Sequence, residues 1–241
     1  KENLPALWSI LETAAGKYNL GFGKTLALGM HGDGVPYTKR DSIEIVSWNF
    51  LSHPTADRIP FTAISKQHIC KCGCKGSCTW NAIFEVMAWS LKMLFVGVVS
   101  CYLPNGDWWD PDAQAGRLPS KTKLVCNALL LQCRGDWPFL RTLFSFPSWN
   151  SHQICWKCAA TREGPNTYRH TGQQAPWRAH RLTHIQFLDS LRLAGIIMNP
   201  VMQLPAFTIA CVVLDWLHVV DLGVGADVIG NLFWEILIVP G

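Results

Sequence analysis

Charge is what this sequence has least of. Only 16% of its residues are charged and the formal net charge is +4. No run of Lys and Arg builds the broad positive footprint that a strong nucleic-acid or membrane-surface binder displays. Contact with a polyanion must therefore come from local patches. The start of the chain also lacks the basic segment, apolar run and small-residue cleavage site of a secretory leader, so the expected setting is reducing, nuclear or cytoplasmic rather than secreted. The longest apolar stretch, Val86 to Leu103, is interrupted by Lys92 and carries scattered Trp, Ser and Cys. A bilayer span needs about twenty nearly uncharged residues, so this stretch predicts a buried helix and no membrane partner. Internal repeats and low-complexity segments are missing as well. The chain opens on Lys1 and closes on Val239-Pro240-Gly241 directly after an apolar segment, so both ends read as cut.

What is present is apolar bulk and cysteine. With 241 residues, 49% of them hydrophobic, the chain can bury one substantial core. The ten cysteines, in a reducing compartment, are metal ligands or buried thiols more often than bridges.

Along the chain, Lys24 to Met30 is a short apolar run that meets a dense turn signal at His31-Gly32-Asp33-Gly34-Val35-Pro36. This predicts a strand delivering Asp33 at its C-terminal end. Ser42 to Leu51 and Phe61 to Ser65 are rich in β-branched and aromatic residues and predict two more strands in a meander. After a cysteine-rich loop, Thr79 to Cys101 has helical length and mostly apolar character. Lys123 to Cys133 is a continuous apolar run suited to a central strand, and it leads into Arg134-Gly135-Asp136-Trp137-Pro138. From Phe146 to Pro205 the chain turns polar and irregular, as an insertion would. Val213 onward reads as one helix or a broken pair.

Four constellations could carry chemistry. Asp33 and Asp136 both follow predicted strands, and side chains at the carboxyl ends of neighbouring strands converge on one crevice. Two such carboxylates repel unless a cation lies between them; a hard ion such as Mg²⁺ or Mn²⁺ removes that conflict and can activate water for phosphodiester cleavage. Each Asp has a plain alternative, since Gly-Asp-Gly is a common turn and Gly-Asp-Trp-Pro a helix N-cap. The second constellation is Cys155-Trp156-Lys157-Cys158 with His152 before it and His170, His180 and His184 after it. It suits a structural Zn²⁺ site, a redox pair, or two unrelated thiols. The third is Cys70, Cys72, Cys74 and Cys78 in a loop with Gly, Lys and Ser, with His68 in reserve. This loop can wrap one soft cation, again Zn²⁺; disulfides are the alternative, although the one-residue spacings strain a local bridge. The fourth is Asp215 and His218, three positions apart and so on one helical face. They can serve one site or form a solvated or capping pair.

The order of these blocks resembles a known family. Leu28-Gly29-Met30-His31-Gly32-Asp33-Gly34-Val35 is similar to the first-Asp segment of CACTA (En/Spm)-like DDE transposases. Gly135-Asp136-Trp137-Pro138 with the trailing Cys155 and Cys158 resembles their second-Asp segment, and Leu214-Asp215-Trp216-Leu217-His218 their Asp-x-x-His block. The Cys-Lys-Cys-Gly-Cys loop and Phe146-Pro147-Ser148-Trp149 look closer still to a repeat-expanded protist group of transposon-derived proteins. The resemblance runs from about Leu26 to Leu237 in short blocks.

It implies an α/β, RNase H-like mixed sheet with a Cys/His-rich insertion. The single domain over 1–241 would comprise core strands and helix over 24–145, the insertion over 146–212, and a C-terminal helical segment over 213–238. It also implies metal-dependent cleavage and strand transfer at transposon ends, with DNA as partner in a longer parent; a homo-oligomer is compatible with the sequence, which does not fix the oligomeric state. Asp33 and Asp136 would be Mg²⁺ ligands, and Asp215 with His218 would support the site. The family's final Glu lies on a helix well beyond the Asp-x-x-His block, and Glu235 follows too soon to fill that place. The chain therefore reads as truncated before its last catalytic helix and inactive alone. The alternative is a non-catalytic, zinc-stabilised module that binds nucleic acid or protein.

Overall fold

A computed structural model describes residues 5–39, 41–52, 57–110, 122–148, 150–215 and 225–237. Its centre is a mixed sheet of five strands in the order β3-β2-β1-β4-β5. The strands are β1 (Thr25–Pro36), β2 (Ser42–Phe50), β3 (Ile59–Ser65), β4 (Asn127–Gly135) and β5 (Val212–Leu214). β1, β2 and β3 form the expected antiparallel meander, while β4 and β5 add in parallel on the far side of β1. An α/β architecture follows, because parallel neighbours need crossovers that cover the sheet.

Two helices cover one face. α2 (Ser77–Val96) buries Trp80, Phe84, Met87 and Ala88, the i, i+4, i+7, i+8 stripe of a core-facing helix. It stops where Gly97 takes a left-handed conformation and its N–H returns to the Met93 carbonyl, as helix C-termini commonly do. α3 (Trp137–Phe144) buries Phe139, Leu140, Leu143 and Phe144. These stripes meet Leu28, Met30, Val46 and Leu130 in the main core. On the opposite face α1 (Pro5–Lys17) sets Leu11 against Ala27 and Leu129 in a smaller cluster. No described helix is long and apolar enough to cross a membrane.

The segment 146–212 packs onto the sheet's own core rather than forming one of its own. Trp156 belongs to the main cluster, as do Phe187 and Leu191 of α5 (His184–Leu193) and Val201 and Met202 beyond it. Thr183 and Gln186 cap α5 reciprocally. The short α4 (Pro176–Ala179) precedes it.

Three expectations change. β1 does not end at His31; it continues through Asp33 to Pro36, because β2 keeps pairing as far as Pro36 with Ser42. The glycine at 32 serves packing rather than a turn: a Cβ there would lie 2.1 Å from the Phe139 ring, so its absence lets α3 close on the sheet. The fourth strand begins at Asn127 and not at Lys123. Val213 and Leu214 are strand, not helix, and the helical segment α6 starts at Gly225.

Candidate functional site: an aspartate row and a cysteine knot

The sheet register aligns three aspartates. Gly32 of β1 pairs with Gly135 of β4, and Gly135 pairs with Leu214 of β5. The residue after each is an aspartate: Asp33, Asp136 and Asp215. Parallel strands run about 4.8 Å apart, so the three occupy one row across the carboxyl edge of the parallel part of the sheet. All three are half-buried. Among the described residues their carboxylates are not drawn to within 4.8 Å of one another as a trio, so the row is open.

Each aspartate has a local anchor or neighbour. One Asp33 oxygen accepts from the backbone N–H of Gly34 at 2.8 Å. Asp136 is the N-cap of α3, extended at φ −65° and ψ 160°, and accepts from the Phe139 N–H at 2.8 Å. The strand-end and capping readings of Asp136 are therefore the same geometry, which fixes one carboxylate oxygen on the Phe139 N–H. Asp33 and Asp215 both act on His31, the residue two before Asp33 on the same face of β1. Burial of the imidazole lowers its pKa most, and the Arg58 charge lowers it further; Asp33 and Asp215 pull it up, and Arg134 pushes it down. Arg58 Nη1 lies 3.1 Å from His31 Nδ1. His218, the other half of the Asp-x-x-His block, lies outside the described residues.

The second assembly is the cysteine knot between β3 and α2. Cys70, Cys72, Cys74 and Cys78 bring their sulfurs within 4.8 Å of one another. The Cys72 and Cys78 sulfurs are 3.7 Å apart. Zinc–thiolate bonds of about 2.3 Å set tetrahedral sulfurs about 3.8 Å apart, so the spacing suits a four-thiolate ion site such as one for Zn²⁺. Left-handed conformations at Gly73, Lys75 and Gly76 wrap the loop. A Cβ at Gly76 would lie 2.8 Å from Ile69, so only glycine combines that backbone with that neighbour. The Cys70 N–H donates to Thr79 Oγ1, and Ser77 Oγ donates to the Cys74 carbonyl.

Four thiols so close do not ionise alike. The Cys78 backbone N–H, aided by the neighbouring thiols, brings the Cys74 thiol down to about 6. Cys78 is pushed up to about 12, chiefly by its hydrogen bonds with Cys74 and Cys72. A divalent ion would let all four carry charge together. His68 is exposed and stands outside the cluster. All ten cysteines are free thiols.

Cys155 and Cys158 do meet. Burial raises the Cys158 pKa, the Ala160 N–H opposes it, and the Cys155 thiol raises it again. Among the described residues no His, Cys, Asp or Glu joins this pair as a third ligand within 4.8 Å. His152 is exposed and elsewhere, and His184 Nε2 sits 3.2 Å from the Met202 carbonyl. The expected second zinc site is therefore a cysteine pair without its histidines. What lies between the two cysteines is structural: Trp156 stacks on Phe146 at 4.7 Å, and Lys157 Nζ donates to the Val212 carbonyl of edge strand β5 at 2.8 Å.

The place of Asp215 in the row departs from the helix expected from Val213 onward, because Val213 and Leu214 belong to β5. The signal was present: Leu214-Asp215-Trp216 repeats the apolar-strand-then-Asp-Trp ending of Gly135-Asp136-Trp137. No protein-family model matches the chain, and no curated protein is found to be related to it.

Proposed function

We propose that this chain is a transposase-like catalytic core with an RNase H-like fold, whose Asp33, Asp136 and Asp215 hold Mg²⁺ or Mn²⁺ for cleavage of DNA. The observation that carries the reading is the register row: three aspartates, each the next residue after a matched position on adjacent parallel strands. A row of three carboxylates suits in-line phosphodiester cleavage, in which one metal activates the attacking water and another stabilises the leaving oxygen. The freed 3′-hydroxyl is then the nucleophile for strand transfer. Asp215 takes a metal-ligand role here that the sequence resemblance reserved for a later glutamate. The cysteine knot is the structural Zn²⁺ site of the same domain, and DNA is the partner.

The test is nicking of supercoiled plasmid by the zinc-loaded protein. Mg²⁺- or Mn²⁺-dependent nicking that Asp33→Asn, Asp136→Asn and Asp215→Asn each abolish supports the reading. A folded, zinc-containing protein that binds DNA and never nicks it would favour the second reading, a zinc-stabilised binding module, for which the knot geometry is the supporting observation.

A further inference from the structure

The segment that carries the cysteine pair also builds a pocket of about 200 Å³ lined by Lys157, Cys158, Trp177, Arg178 and Arg181. Three of its five walls are cations and none is an acid. The surrounding backbone is tied into a small antiparallel frame. The Ala159 N–H donates to the His180 carbonyl at 2.9 Å, and the Leu182 N–H to the Lys157 carbonyl at 3.0 Å, with Cys158 opposite Arg181. This places Lys157 and Arg181 on facing strands of the frame.

On the other wall, Trp177 Nε1 donates to the His170 carbonyl at 2.9 Å. The Arg178 guanidinium lies over the Trp177 ring, 4.6 Å from its centroid, and donates to the Thr171 carbonyl. Stacking and that hydrogen bond restrict the guanidinium before any ligand arrives, which reduces the entropy lost on binding.

Lys157 is half-buried, and its Nζ donates to the Val212 carbonyl and lies 5.6 Å from the centroid of the Trp156 ring, which anchors the wall of the pocket to β5. Its pKa is lowered first by burial and, last among the causes, by repulsion from Arg181, while Cys155 and Cys211 raise it. A small cavity lined by cations with no acid among them favours an oxyanion, and a pair of arginines matches phosphate oxygens in pairs.

We propose that this pocket binds a phosphate oxyanion, with a phosphodiester of the DNA backbone as its source. The phosphate chemistry stands on the pocket alone; the choice of DNA rests on the function proposed above. Lys157 supplies the link, because it joins the pocket to β5, the strand that ends at Leu214, the residue before Asp215. A strand held here is fixed relative to the aspartate row. Arg178 and Arg181 are the contacts, and Lys157 anchors their wall to β5.

The experiment is fluorescence-anisotropy binding of a labelled duplex oligonucleotide to the full zinc-loaded chain, without added divalent metal, across a salt series. The Arg178→Gln/Arg181→Gln double variant is expected to bind at least about tenfold more weakly and to lower the salt slope by about one, for the single phosphate contact that is lost. Arg178→Lys/Arg181→Lys is expected to restore the slope but only part of the affinity. Mn²⁺ binding at the aspartate row, titrated on the Arg178→Gln/Arg181→Gln double variant, should be unchanged, so the two proposals fail separately. Inorganic phosphate at millimolar concentration should compete. If phosphate binds, shown by the same variants in calorimetry, while the oligonucleotide does not, the source is a small phosphate compound and the DNA assignment is overturned. A folded double variant with unchanged affinity and slope, together with no phosphate binding, overturns the pocket.

Discussion

At the scale of single residues, Asp136 has two duties that substitutions can separate. Its carboxylate caps α3 through the Phe139 N–H and also belongs to the row. Asp136→Ala should cost about 1 kcal/mol of stability through loss of the cap, measured by urea denaturation, and should abolish metal-dependent nicking. Asp136→Asn retains a capping oxygen, so it should unfold near the wild-type midpoint while still losing metal. Equal destabilisation by both variants would mean that the cap does not hold α3. The knot offers a second residue-level test. In metal-free protein at pH 7 the Cys74 thiol, lowered to about 6, is largely thiolate, whereas Cys78, raised to about 12, stays protonated. Iodoacetamide mapped by mass spectrometry should label Cys74 ahead of Cys78, and zinc should protect both.

At the scale of elements, the glycine at the meeting of β1 and α3 controls the row. A methyl group at position 32 would meet the Phe139 ring at 2.1 Å, and overpacking of this kind costs about 1–3 kcal/mol. Gly32→Ala should therefore lower the denaturation midpoint and weaken metal binding together, because α3 carries Asp136 at its N-cap. An unchanged midpoint would show that the ring rotates away freely. The same contact explains part of what was legible beforehand. The meander, α2 and β4 followed from period and composition, since each buries a face that its own residues declare. The run Gly32-Asp33-Gly34 misled as a turn because its glycines answer to neighbours distant in sequence: Phe139 for one and Glu44 for the other. β5 was missed for a related reason. Three residues carry no period, and Val212 to Leu214 become a strand only because β4 is there to pair with. The histidines around Cys155 and Cys158 were suggestive by spacing, but α5 and its capping box draw His184 toward Met202 instead.

At the scale of the whole molecule, the sheet brings together positions 33, 136 and 215, and the knot closes the link from β3 to α2. Removing zinc with a chelator should therefore lower thermal stability and expose the start of α2 to protease, with one zinc ion released per chain by metal analysis. A chain that purifies without zinc under reducing conditions would remove that element of the account. The proposed function requires the three aspartates to form one metal site. It is tested most directly by titrating the zinc-loaded protein with Mn²⁺ and following the free ion by electron paramagnetic resonance. Saturable binding is expected, and Asp33→Asn, Asp136→Asn and Asp215→Asn should each weaken it by about tenfold or more, as loss of one charged ligand from a shared site should. Binding that is absent, or that is indifferent to Asp215→Asn while the other two abolish it, would contradict it.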